Sequence, residues 1–344
     1  MSPVEDQGKV IDLAEVIEAY FARGWTDGLP VVPPTERSIR AMLEAAALKP
    51  GQEIAFIEGR RVPVMADKVA INAVMAGCKP EYMPVIVTAL EAMADPRFSY
   101  HGPTTSTSGA AVFILVNGPI ARQLDINCGD NLFSPGWRAN ATIGRAVRLV
   151  MRNVMGTLPG TLDRSALGHG GKYTFCIAEN EAESPWAPVH VERGFKPEQN
   201  TVSVFAALAP QQVSNHLSNT AEGVLTTACA AMRFSAGTGR QPQYVLVIGG
   251  EHMRLIAKDG YSKEDVRRFC FENSQISVAD LKRINLMAGE IAPGDEAQKQ
   301  PLVPAPEDFI VVAAGGRVGG LSAFIPGWSS KTSTEMVTRK IQQP

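Results

Sequence analysis

The sequence predicts an α/β fold, in which β-strands and α-helices alternate along one chain. Apolar runs with strand character, such as GAAVFILVNGP at 109–119 and YVLVIGG at 244–250, precede amphipathic helical patterns. The segments that begin FILVNGPIARQLD and YVLVIGGEHMRLI also share one order of strand, turn, short helical run and basic apolar helix. This internal likeness predicts two related lobes produced by a duplication.

The 344-residue chain divides into four predicted parts. Residues 1–60 carry an amphipathic helical pattern and then a loop, RGWTDGLPVVPPTE, which its glycines and prolines stiffen. Residues 61–200 form the first α/β lobe, residues 201–330 form the second lobe, and residues 331–344 form a polar, flexible tail.

Local signals define the individual elements. Gly77 ends a helix at 67–77, and Pro80 opens a second helix that runs to about Ala94. The later elements are a strand at 109–119, a helix at 141–156, a strand at 201–210, a helix at 219–235, a strand at 244–250, a helix at 262–273 and a strand at 308–316.

Composition restricts the classes of partner. Hydrophobic residues make up 45% and charged residues 20% of the chain, which is typical of a globular protein. A net charge of −2 and an aromatic content of 7% disfavour a nucleic-acid partner. The first residues are acidic and amphipathic, unlike a signal peptide, and no apolar run approaches the ~18 residues that span a bilayer. We therefore expect a cytoplasmic protein with no membrane partner, and either a homo- or a hetero-oligomer fits the sequence.

The cysteine pattern predicts reduced thiols. The five cysteines are odd in number and widely spaced, and no C-x-x-C pair occurs. Neither a zinc ribbon nor a dithiol redox motif is indicated. The cysteines are Cys78, Cys128, Cys176, Cys229 and Cys270.

Cys78 is the first candidate catalytic residue. It lies between Gly77 and Lys79, just before the helix that Pro80 opens. The positive end of a helix dipole and a neighbouring lysine both lower the pKa of a thiol, so the position predicts a reactive thiolate. The alternative is a buried and inert cysteine, which is the common state of this residue type.

Three further catalytic candidates follow predicted strands. Glu251 and His252 come directly after the strand at 244–250, and His216 follows the strand at 201–210. In α/β proteins, ligands bind beyond the carboxyl ends of strands. A carboxylate beside an imidazole can transfer protons or bind a metal. The alternative is that His252 caps the next helix or is satisfied within a crevice.

Six residues are candidates for binding an anionic group of the substrate. Two arginines are suited to clamp a carboxylate, or else to tie loops together. Two of the six Ser and Thr residues in the stretch SYHGPTTSTSGAA are suited to bind an anion, or else belong to a solvated loop. Two of the four glycines in AAGGRVGG are suited to form a backbone anion nest. The six are Arg138, Arg145, Thr105, Ser106, Gly316 and Gly319.

No organic cofactor is predicted. The paired glycines do not form G-x-G-x-x-G, and a strand pattern rather than a helix follows them. The polar stretch at 165–195 holds His169, Lys172 and several glutamates, but it lacks a known metal-binding spacing. A divalent metal at the Glu251–His252 pair stays an alternative.

Four phrases in the chain resemble a family of bacterial proteins. They are GWTDGLPVVPPTE, INAVMAGCKPEYMPV, ANATIGRAVRL and GHGGKYTFCIAENE, and the resemblance covers nearly the whole chain. The family is linked by its naming to thioredoxin-like proteins and to the selenocysteine-containing UGSC group. The U-G-S-C motif itself is absent here, and the resemblance implies no particular reaction.

The sequence therefore favours an enzyme that acts on a small polar or anionic organic substrate by lyase or hydrolase chemistry. In this hypothesis Glu251 and His252 move protons, Cys78 attacks or assists, and arginines or loop amides hold the anionic group. One alternative is a thiol oxidoreductase that uses Cys78. Another is a non-catalytic subunit that binds a small molecule or a partner.

Overall fold

A computed structural model describes residues 4–6, 9–235, 242–329 and 334–342. Its helices are α1 (Leu13–Ala22), α2 (Glu36–Ala45), α3 (Ala66–Ala76), α4 (Met83–Met93), α5 (His101–Thr105), α6 (Pro119–Gln123), α7 (Arg138–Asn153), α8 (Val189–Glu192), α9 (Ala221–Ser235), α10 (Gly250–Lys258), α11 (Lys263–Asn273) and α12 (Val278–Arg283). Its strands are β1 (Val4–Asp6), β2 (Lys9–Ile11), β3 (Glu53–Ile57), β4 (Val62–Met65), β5 (Ala111–Asn117), β6 (Cys176–Ala178), β7 (Thr201–Ala207), β8 (Gln211–Ser214), β9 (Tyr244–Ile248), β10 (Ile276–Ser277), β11 (Lys299–Gln300), β12 (Phe309–Ala313), β13 (Leu321–Pro326) and β14 (Val337–Lys340).

Two four-stranded sheets of the same topology form the centre of the molecule. Their strand orders are β6-β5-β7-β14 and β12-β9-β13-β8. In each sheet the first two strands are parallel and the other neighbours are antiparallel. Helices connect the parallel strands: α6 and α7 in one case, and α10, α11 and α12 in the other. The α/β fold is confirmed, and the repeated topology is the one that a duplication predicts.

Each sheet is completed by a strand from the other repeat. The chain leaves β7 in the first sheet and enters β8, which pairs with β13 in the second sheet. After β13 it returns to the first sheet, where β14 pairs with β7. The lobe boundary predicted at residue 201 therefore falls inside the first sheet, because β7 pairs with β5 along its whole length.

The tail that was predicted to be flexible contains a strand, β14 (Val337–Lys340), within its described residues. Within 334–342, Thr334 and Val337 are fully buried, and Val337 lies opposite Val204 of β7. The polar composition of the tail hid this pairing, because an edge strand needs few apolar residues to be held by its backbone ladder. The predicted tail at 331–333 and 343–344 lies outside the described residues.

The two sheets pack face to face between outer layers of helices. Phe113 and Leu115 of β5 share one buried cluster with Val245 and Val247 of β9. The intervening residues of β5 point the other way and pack with α2, α3, α4 and α7. The outer face of the second sheet packs with α9, α10 and α11. Side chains alternate between the two faces because a strand has a two-residue period. Each sheet therefore lies between the other sheet and a layer of helices.

The proline-rich loop before α2 is fixed on α7. Both Nε and Nη2 of Arg145 donate to the carboxylate of Asp27 at 2.8 Å, and Nη2 also donates to the carbonyl of Pro30 at 2.9 Å. The side chain of Asn153 donates to the carbonyl of Trp25 at 2.9 Å. Arg145 therefore ties a loop in place, which was the alternative interpretation of this arginine.

Candidate active site

A cavity of about 460 Å³ lies where the α/β fold places ligands. It is at the carboxyl ends of β9 and β12, and Gly249, Gly316 and Ser322 contribute to its wall. A loop of the first lobe, which includes Asp130 and Phe133, covers the other side. The volume is in the range of small-molecule sites.

Ser322 and His252 form a hydrogen-bonded pair at this cavity. Oγ of Ser322 lies 2.7 Å from Nδ1 of His252, and Nε2 of His252 lies 3.1 Å from the backbone carbonyl oxygen of Asn215. A carbonyl can only accept, so in the neutral imidazole Nε2 carries the proton and Nδ1 accepts from the serine hydroxyl. His252 is fully buried, whereas Ser322 is half-buried and lines the cavity.

Strand pairing brings these two residues together. Ser322 of β13 lies opposite Ile248, the last residue of β9, and α10 begins two residues later at Gly250. His252 in the first turn of α10 is therefore beside Ser322. Gly249 permits this close approach, because a Cβ there would overlap the carbonyl of Leu321. The N–H of Gly249 donates to Oγ of Ser322 at 3.2 Å.

Asn215, whose backbone carbonyl is hydrogen-bonded to His252, is itself held in place. The side-chain nitrogen of Asn215 donates to Oγ1 of Thr227 at 2.8 Å, and its side-chain oxygen accepts from the N–H of Ser218 at 2.9 Å. The Asn215 carbonyl is thus fixed between β8 and the start of α9. A nucleophile, a base and a group that orients the base are the components of a Ser-His catalytic unit.

The carboxylate of Glu251 is hydrogen-bonded to a loop and does not contact Ser322, so Glu251 is not placed as the predicted acid or base. Its carboxylate accepts from the N–H groups of Gly319 and Gly320 at 2.8 and 3.0 Å, and these hydrogen bonds lower its pKa. The carboxylate therefore holds the glycine loop next to the cavity. Gly316 of this loop lines the cavity, where a Cβ would overlap the Asp130 carboxylate. Gly319 does not line the cavity, and its N–H donates to Glu251.

His216 lies on the same loop as Asn215, and its imidazole lies beside Gly320 of the glycine loop. It is exposed, and only the backbone of its neighbour Asn215 reaches His252. Of the four predicted catalytic residues, His252 is the one that is hydrogen-bonded to a side chain of the cavity wall within the described residues.

The predicted activation of Cys78 is wrong in direction. The thiol is buried and donates to the carbonyl of Thr142 at 3.2 Å, and burial raises its pKa to about 12. Nearby Arg138 and Arg145 lower the pKa, but burial outweighs them. The helix-start argument failed because Gly77, at φ 90°, turns the chain so that Cys78 packs against α7.

Alkylation of the native protein is expected to modify Cys128 first. Cys128 is half-buried, whereas the other four cysteines are buried, and access limits the reaction of a thiol. Iodoacetamide labelling followed by peptide mass spectrometry measures each rate, and labelling in denaturant gives all five sites as the control. A faster reaction at Cys78 than at Cys128 would contradict this interpretation.

The remaining predicted substrate ligands do not line the cavity and are hydrogen-bonded to other parts of the chain. Nε of Arg138 donates to the carbonyl of Gly77 at 3.0 Å. The hydroxyl of Thr105 donates to the carbonyl of His101 at 2.9 Å, and Ser106 bonds to Ser108 at 3.0 Å. These bonds satisfy the side chains within turns and helix ends, so the three residues do not form part of the Ser322 site.

In the first sheet, the counterparts of β9 and β12 are β5 and β6. The carboxyl ends of these two strands are occupied by buried charged side chains. Nζ of Lys263, at the start of α11, lies 3.0 Å from Glu179 and 3.2 Å from Glu192. Glu179 also accepts from the side chain of Asn117 at 2.7 Å and from the N–H of Val189 at 2.8 Å. Because Glu179 follows β6 and Lys263 follows β9, this ion pair joins the two repeats.

Comparisons with protein-family models, curated protein sequences and solved structures give no match to this chain. Within the described residues, no three or more His, Cys, Asp and Glu side chains are grouped as metal ligands. None of the helices in that part of the chain is both long and apolar enough to cross a membrane.

Proposed function

We propose that the protein is a hydrolase that cleaves an acyl bond of a small organic substrate through Ser322. The observation that carries this proposal is the 2.7 Å hydrogen bond from Oγ of Ser322, which lines the cavity, to Nδ1 of the fully buried His252. Nucleophile and base within hydrogen-bond reach are the diagnostic feature of this chemistry. The reaction uses the chain's own residues and no organic cofactor, and we assign it to the cytoplasm.

In the proposed reaction His252 takes the proton of Ser322 as Oγ attacks the substrate carbonyl carbon. The resulting tetrahedral intermediate collapses to an acyl-enzyme, and the leaving group departs with the proton held by His252. Water then attacks the acyl carbon while His252 takes its proton. The bond between Oγ and the acyl carbon breaks, His252 returns the proton to Oγ of Ser322, and the acid is released. The backbone N–H of Gly316, a residue of the cavity wall, donates to no acceptor within the described residues and is suited to hold the oxyanion.

The cavity favours an uncharged acyl group. Its wall includes the apolar side chains of Leu132, Phe133, Val318 and Leu321, and the carboxylate of Asp130 is also at the wall. A carboxylate repels an anionic group, so an apolar acyl chain fits better than an anion. The buried thiol of Cys78, with its raised pKa, argues against the alternative of a thiol oxidoreductase.

The test is hydrolysis of p-nitrophenyl esters, from acetate to octanoate, by the wild-type protein and by Ser322→Ala. Loss of the nucleophile is expected to lower kcat/KM on the order of 10²-fold or more. Ser134→Ala is the matched control, because Ser134 lines the same cavity without a histidine partner. Equal rates for Ser322→Ala and Ser134→Ala would contradict the proposal, as would the absence of turnover by the wild-type protein.

A further inference from the structure

A second cavity, of about 380 Å³, lies between α7 and the segment at 157–173. It shares no lining residue with the Ser322 cavity. Arg148 and Arg152 of α7 line one side, and His169 and Lys172 line the other. The proposed hydrolysis uses none of these residues.

Cations outnumber carboxylates in the centre of this cavity. Asp163 accepts from Arg148 at 2.6 Å and from Lys172 at 2.8 Å. The three side chains are only 6–15% exposed, so water screens them poorly. The cluster of Asp163, Arg148 and Lys172 holds one carboxylate and two cations, so its net charge is +1.

Arg152 adds a second positive charge that no carboxylate offsets. One of its terminal nitrogens donates to the carbonyl of Gly24 at 3.0 Å, and it takes part in no ion pair within the described residues. Its Nε is buried and has no hydrogen-bond partner in that part of the chain. Arg148 and Arg152 are one helical turn apart, where like charges repel. The carboxylate of Asp27, which also lines the cavity, is already hydrogen-bonded to Nε and Nη2 of Arg145.

We propose that this cavity is a binding site for an oxyanion, the carboxylate or phosphate group of a small molecule. A planar guanidinium presents paired N–H donors that match such a group, and an anion between Arg148 and Arg152 removes their repulsion. The hydroxyl of Tyr173, at the exposed wall, can donate to the same ligand.

The cavity lined by Arg148 and Arg152 and the Ser322 cavity are therefore suited to different ligands. The lining of the first includes three cations and two carboxylates, a net charge of +1, and Arg145 lies just behind it. The lining of the Ser322 cavity has a single charged residue, Asp130. The oxyanion site stands on its own observations, and failure of the hydrolase proposal would leave it intact.

The test is isothermal titration of the full-length protein with inorganic phosphate and with succinate, at an ionic strength kept constant with sodium chloride. We expect saturable binding of at least one of the two anions, and the tighter one identifies the phosphate or the carboxylate as the preferred group. Arg152→Gln is expected to weaken that binding by about tenfold or more, since a charge-assisted hydrogen bond is lost. Thermal melting in plain buffer checks that the variant folds.

Arg122→Gln is the matched control, because it removes an exposed arginine at a distance from the cavity. It is expected to bind the anion as the wild-type protein does. Absence of saturable binding to either anion would overturn the proposal. Equal affinity for wild type and Arg152→Gln would overturn it too, and so would an equal loss in both arginine variants, which would indicate attraction by net charge alone.

Discussion

Replacing His252 with glutamine is expected to lower the rate of ester hydrolysis on the order of 10²-fold or more. Glutamine is of similar size and its amide can donate to the Asn215 carbonyl, but it has no basic nitrogen to take the Ser322 proton. The loss of stability is expected to be small, about 1 kcal/mol for one altered buried hydrogen bond. Ester hydrolysis and urea unfolding of the same preparation measure both quantities.

His216→Gln is the control for this prediction. His216 is exposed on the neighbouring loop and does not contact Ser322, so its loss is expected to leave the rate unchanged. A His252→Gln variant that loses stability and yet retains full activity would identify His252 as a purely structural residue that links α10 to β13 and to the end of β8.

Replacing Lys263 with methionine is expected to destabilise the protein by about 3–5 kcal/mol. The Lys263 and Glu179 side chains are 3% and 0% exposed, so removal of the ammonium leaves a buried carboxylate without its counter-charge. The bonds from Asn117 and Val189 remain, but they are neutral donors and offset only part of the loss. Urea unfolding measures the change in the free energy of unfolding.

Two variants separate charge from packing in this cluster. Lys258→Met removes an exposed lysine from α10 and is expected to change stability by less than about 0.5 kcal/mol. The double variant Lys263→Met/Glu179→Gln is expected to recover part of the stability, because a neutral amide then replaces the unpaired carboxylate. If Lys263→Met and Lys258→Met had the same free energy of unfolding, the Lys263–Glu179 ion pair would make no measurable contribution to stability, contrary to this prediction.

Local signals predicted most of the elements. Gly77 adopts the left-handed conformation that ends α3, and the run YVLVI forms β9 as its apolar pattern indicates. The exchange of β8 and β14 between the sheets could not be predicted, because strand partners far apart in sequence are chosen by packing and register rather than by local pattern.

The site was predicted in part. The strand-end rule indicated the start of α10, where His252 lies behind Ser322 of the cavity wall. Its partner Ser322 is 70 residues away in sequence, and only the pairing of β13 with β9 brings it near. The one signal in the sequence was a hydroxyl residue within the apolar strand pattern LSAFI, directly after the glycine loop. Cys78 was misjudged because its burial against α7 depends on contacts that helix-end electrostatics do not include.

The most direct test of the Ser322 site is reaction of the native protein with a fluorophosphonate probe, followed by mapping of the modified peptide by mass spectrometry. The probe forms a covalent bond with a serine only where a base activates the hydroxyl. We expect one adduct, on Ser322, which is lost in Ser322→Ala and strongly reduced in His252→Gln. An absence of adduct, or modification of another serine such as Ser134 or Ser165 in place of Ser322, would contradict the proposed hydrolase.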